Sequence, residues 1–157
     1  MKTMYKKLVL KCMMMLLATA FIFTLSSCSD RDDDDAGGNT YKLTLTLNGV
    51  DNDDHVSFSL AGTNTNADSN VWKVNGETQA GQMGISMDED SFTGSTKTYV
   101  IESNFKLVGI ASGLTVSNFG TSTITGNFKI EKNGSEVVNQ PVNLTSSGAN
   151  LTKHYNL

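Results

Sequence analysis

From Tyr41 onward, apolar side chains recur at every second position rather than every third or fourth. Tyr41, Leu43, Leu45 and Leu47 alternate with Lys42, Thr44 and Thr46 and stop at Asn48-Gly49, which is the signature of a strand with one buried face. Val56, Phe58 and Leu60 repeat the pattern against Ser57 and Ser59. Val71 to Val74 then reads as a short strand closed by Asn75-Gly76, and Met83, Ile85 and Met87 alternate up to an acidic turn. The stretch from Lys97 to Val116 carries Tyr99, Ile101, Phe105, Leu107, Ile110 and Leu114, and its Gly109 and Gly113 predict breaks or a bulge. Further on, Phe128 and Ile130 lead into Asn133-Gly134, residues that tolerate the positive φ of a two-residue type I′ turn. Val137 and Val138 continue on the return arm. Pro141 has no N–H for a ladder and is expected at an edge or bulge, and Leu151, Tyr155 and Leu157 offer a last strand.

Helical patterning is nearly absent. Ser, Thr and Asn make up about a third of the chain after residue 27, a composition that suits strands and turns. Eight or so short strands over residues 41–157 predict an all-β fold, an antiparallel β-sandwich of immunoglobulin-like or transthyretin-like arrangement. A small barrel of the same strand count is the alternative.

Residues 1–27 obey a different rule. They hold 18 apolar residues and four lysines, with no acid and no glycine. Lys2, Lys6, Lys7 and Lys11 form a positive n-region, and the 14 residues from Cys12 to Leu25 are interrupted only by threonines, which is signal-peptide length and short of a spanning helix. Leu25-Ser26-Ser27-Cys28 resembles the bacterial lipobox. That resemblance implies a lipid on the Cys28 thiol, cleavage before Cys28, and an outer-membrane lipoprotein held to the membrane by its acyl chains. Cys12 would leave with the leader, so the mature chain would keep one thiol and no internal disulfide.

Removing the leader moves the net charge from −4 to −8. Half of that lies in Asp30, Asp32, Asp33, Asp34 and Asp35, interrupted by Arg31; such a run repels itself and stays solvated. Residues 28–40 are therefore expected to be a tether ending in a flexible Gly37-Gly38 joint. The acidic run resembles the export signal that follows the lipidated cysteine in surface-exposed lipoproteins of the Bacteroidetes, which implies a position on the cell surface. No basic stripe suggests a nucleic-acid partner.

Candidate chemistry in the domain is sparse. The histidines, His55 and His154, sit in unrelated strand contexts, no GxSxG elbow occurs, and no enzyme activity or cofactor is expected. Carboxylates cluster at Asp51-Asn52-Asp53-Asp54 and at Asp88-Glu89-Asp90, so Asp51, Asp53, Asp54, Asp88 and Asp90 are incomplete calcium candidates. The first cluster lacks the glycine and distant glutamate of an EF-hand loop. Trp72, the single tryptophan, is expected either in the core or as a stacking platform for a glycan. The polar stretch from Ala61 to Asn70 is the longest candidate binding loop. The functional expectation is a lipid-anchored, non-enzymatic module for protein interaction or adhesion, with a glycan-binding lipoprotein of a polysaccharide-uptake system as the alternative.

Overall fold

A computed structural model describes residues 37–157; the leader, Cys28 and the acidic run lie outside the described residues. Ten strands follow in order: β1 (Tyr41–Asn48), β2 (His55–Thr63), β3 (Trp72–Val74), β4 (Glu77–Thr78), β5 (Gly84–Asp88), β6 (Lys97–Ser103), β7 (Gly109–Ser117), β8 (Ile124–Lys132), β9 (Ser135–Leu144) and β10 (Asn150–Asn156). They form a six-stranded sheet of order β4-β3-β6-β1-β8-β9 and a four-stranded sheet of order β10-β7-β2-β5. All pairings between these strands are antiparallel. The fold is an all-β sandwich, as the period-two pattern predicts.

Each layer buries one face of its strands. Leu43, Leu45 and Leu47 of β1 are fully buried, as are Val56 and Phe58 of β2, while the residues between them face outward. The ring of Phe58 meets that of Phe128 edge-on at 5.8 Å, and Phe128 in turn meets Tyr155 at 5.7 Å, so aromatic contacts tie the two sheets together. Only β3–β4 and β8–β9 are hairpins within one sheet; every other connection crosses between the layers. Both hairpin turns use Asn-Gly in the positive-φ conformation, with φ of 50° and 86° at Asn75-Gly76 and 52° and 78° at Asn133-Gly134.

Two expectations need correction. Gly113 does not interrupt β7, because the ladder runs through it to His154 on one side and Ser59 on the other. A Cβ there would sit 3.1 Å from both His154 Nδ1 and Ser59 Oγ, so the glycine makes room for its cross-strand neighbours. The chain is also held two residues earlier than Tyr41. Asn39 exchanges two backbone hydrogen bonds with Leu107, each 2.8 Å, and the Thr40 N–H donates to Asn133 Oδ1 at 2.9 Å. No expectation covered β4, which carries no apolar alternation and is defined by its pairing with β3.

The strand directions give the sandwich two distinct ends. Asn39, Thr40 and the start of β1 lie at one end with the 104–108 loop, the Asn133-Gly134 turn and Leu157. The loops 49–54, 118–123 and 145–149 lie at the other end, where β1 and β7 finish. With eight residues at about 3.3 Å each, β1 separates the two ends by about 26 Å.

Candidate functional site

The end remote from Asn39 is built around one buried carboxylate. After Gly49, whose φ of 83° turns the chain, Val50 enters the core and the polypeptide folds back on itself. Asp51 Oδ1 accepts from the Asp53 N–H at 3.1 Å, and the Asp54 N–H donates to the Asp51 carbonyl at 3.2 Å. This is the local side-chain-to-backbone bonding that suits Asp to turns. It carries Asp54 inward until only 4% of its surface remains exposed.

Asp54 is a clamp between loops. Its Oδ2 accepts from the Asp51 N–H at 2.9 Å, and its Oδ1 accepts from the N–H groups of Phe119 at 2.9 Å and Gly120 at 3.0 Å. Burial alone would raise its pKa, but the donated hydrogen bonds from Asp51, Gly120 and Phe119 outweigh it and hold the carboxyl below the usual aspartate value. A Cβ at Gly120 would meet the Asp51 carboxylate, so any larger residue there would need that side chain to shift.

The 118–120 segment is fastened from its other side as well. Asn118 is fully buried and its Nδ2 donates to the carbonyls of Ser122 at 2.6 Å and Leu144 at 3.0 Å. Its backbone exchanges hydrogen bonds with Gly148 and Ala149, and Ser147 Oγ donates to the Phe119 carbonyl at 3.1 Å. The consequence falls on Phe119. Its N–H and carbonyl are both held, yet its side chain is 59% exposed.

The residues singled out from the sequence are distributed differently. Trp72 is fully buried and its Nε1–H donates to the Met83 carbonyl at 3.0 Å. The expectation of a glycan platform at Trp72 is thereby corrected: its indole faces are covered by packing and present nothing to a sugar. The indole occupies space left by Gly62, where a Cβ would fall 2.7 Å from Trp72 Cζ2.

His55 and His154 stand opposite Ser117 and Gly113 of β7, four residues apart along that strand. His55 Nδ1 lies 3.4 Å from Glu89 Oε2, whereas His154 has Ser59 as its polar neighbour across Gly113. The five calcium candidates do not converge. Asp51 and Asp54 serve the 49–54 turn, Asp88 accepts from Ser91 Oγ at 3.4 Å in a separate 3-10 turn, and Asp53 and Asp90 project outward. Among the described residues, no three acidic, histidine or cysteine side chains are placed to hold a metal ion. The polar loop after Ala61 folds on Asn64, whose Oδ1 accepts from the N–H groups of Asn66 and Asp68, and it lies toward the Asn39 end.

No family matches the chain and no curated protein matches it. Solved structures do. The calcium-bound form of a protein from Parabacteroides distasonis superposes with a TM-score of 0.58 at 17% identity, covering 80% of this chain and 99% of that one. A DUF4425 family protein from Bacteroides ovatus and a DUF4425 domain of unknown function from Bacteroides vulgatus each give 0.55, at 11% and 16% identity. Both cover 76% of this chain and 94% of their own. The chain has the fold of these Bacteroides and Parabacteroides proteins. At such identities the likeness is one of backbone arrangement, and each residue role above rests on this chain's own contacts.

Phe119 escaped the sequence reading because it breaks no alternation and stands in the Asn-Phe-Gly turn after β7. The available signal was a bulky aromatic residue between Asn118 and Gly120, two residue types that make tight turns.

Proposed function

We propose that the chain is a surface-exposed, outer-membrane-anchored lipoprotein that acts as a non-enzymatic protein-interaction or adhesion module, with the Phe119 end as its contact surface. The observation that carries this reading is a large aromatic side chain, 59% exposed, on a backbone fixed by Asp54 and Ser147. Binding energy concentrates in aromatic anchors of this kind, and a pre-ordered anchor loses little entropy on docking. The described chain enters the sandwich at the Asn39 end, and the Phe119 end lies about 26 Å further along β1.

The Parabacteroides structure is a calcium-bound form; among the described residues of this chain, no three acidic, histidine or cysteine side chains are placed to hold a metal ion. Calcium takes six to eight oxygens, whereas the Asp54 carboxylate is turned toward three N–H groups. The reading is therefore carried by Phe119 and not by a cation.

A photoreactive phenylalanine at position 119 is expected to crosslink a reproducible partner on intact cells, while the same probe at the exposed Val137 on the β9 flank does not. Equal or absent adducts at the two positions would remove the reading. Phe119→Ala should weaken partner binding by about 2 kcal/mol, roughly thirtyfold, as for an interface hot spot. It should leave stability within about 0.5 kcal/mol, because the side chain is mostly exposed. A Cys28→Ser chain should no longer incorporate a palmitate analogue, and undiminished labelling would refute the anchor.

A further inference from the structure

The open flank between the β3–β4 hairpin and β5 holds a groove of about 520 Å3, within the size range of small-molecule sites. Its apolar lining is Val74, Ile85 and Met87, and its walls are polar: Asn75, Glu77, Gln79, Gln82 and Ser86. The frame is preformed. Asn75 exchanges hydrogen bonds with Val100 through its N–H, at 2.8 Å, and its Oδ1, at 2.9 Å; the Gln79 N–H donates to the Trp72 carbonyl at 2.8 Å. The Gln79 side chain is committed on one side, its Nε2 donating to the Glu77 carbonyl at 3.0 Å. Ser86 pairs with Ser59 and turns its hydroxyl to the outer face, opposite to Ile85 and Met87, so it lines the groove through its backbone; Gln82 and Glu77 are exposed at the walls.

We propose that this groove binds a neutral sugar chain. Amides and a carboxylate around an apolar floor match a ligand with hydroxyl groups at its rim and C–H groups on its faces. Glu77 is the one charged residue of the lining, and with no lysine or arginine in that lining an anionic ligand meets repulsion there. A peptide adding to the free edge of β5 is the competing occupant. Strand addition needs an extended edge with pockets for alternate side chains, whereas β5 has five residues and β4 only two. The site shares no residue with the Phe119 end and stands or falls without it.

The test is amide and indole NMR of the full isotope-labelled chain in detergent micelles, titrated with maltohexaose, cellohexaose, xylohexaose and mannohexaose. At least one sugar is expected, at millimolar concentration, to shift the amides of Gln79, Gln82, Ser86 and Met87. The Trp72 indole N–H should shift with them, because it bonds the Met83 carbonyl beside the groove. Gln82→Ala with Glu77→Ala, both exposed, should lower that affinity at least tenfold without moving the melting temperature. The proposal is overturned if none of the four sugars shifts these signals, or if binding survives the double substitution. It is also overturned if an extended threonine-valine peptide shifts the signals and the sugars do not.

Discussion

Replacing Asp54 by alanine is expected to lower the stability of the domain by about 3 kcal/mol, since hydrogen bonds to a charged group contribute about 1.5–3 kcal/mol and their loss leaves buried donors unpaired. Three N–H groups lose their acceptor at once, at Asp51, Phe119 and Gly120. Two loops are released together, so the local effect should exceed the global one. Amide hydrogen exchange at Phe119 and Gly120 should accelerate well beyond that of the β1 core. Wild-type-like protection at those two amides would show that Asp54 is not the clamp. The same group makes a pH prediction. Its folded pKa lies below the usual value, so its contribution is present above the unfolded aspartate pKa of about 3.9 and is lost as pH falls through the folded one. Denaturation curves from pH 6 down to pH 2 should show that loss in the wild type and a shallower fall in Asp54→Asn.

The second large effect is expected at Trp72. Trp72→Ala removes the largest fully buried side chain and should cost about 4 kcal/mol, the usual scale for a buried aromatic replaced by alanine. Gly62 and Leu107 line the space that would be vacated, and the Met83 carbonyl loses its donor. Trp72→Phe should recover much of the packing but not the hydrogen bond, and settle between the two. Chemical denaturation of the three proteins checks the order. Near-equal stability of wild type and alanine variant would mean that the indole site is not part of the core.

The sequence made the layers legible and left the ends obscure, for a physical reason. Alternation reports which face of a strand is buried, so β1, β2 and the Asn133-Gly134 hairpin could be read from their own residues, with Pro141 in the edge strand β9, opposite Asn127. It says nothing about which loops meet in space. Asp54 and Phe119 are 65 residues apart, and only the crossing connections bring them together. Asp54 looked like its neighbours Asp51 and Asp53, three solvated carboxylates in one turn. Burial of one of the three is a tertiary fact. Trp72 shows the reverse case, since alternation suggested a buried face but could not say whether a neighbouring loop would cover it.

Strand β9 has a further consequence under the proposed surface attachment. It is ten residues long and closes the six-stranded sheet, so its outer edge is a template on which a second copy could pair. Tethered proteins share a thin layer of solution, where local concentration is high and such pairing would accumulate. Pro141 removes one donor from that edge, and the register shift between Ile130 and Glu131 bends the ribbon near its other end. Anchored as proposed, the sandwich would keep its neighbours at arm's length through a missing proton and a kink.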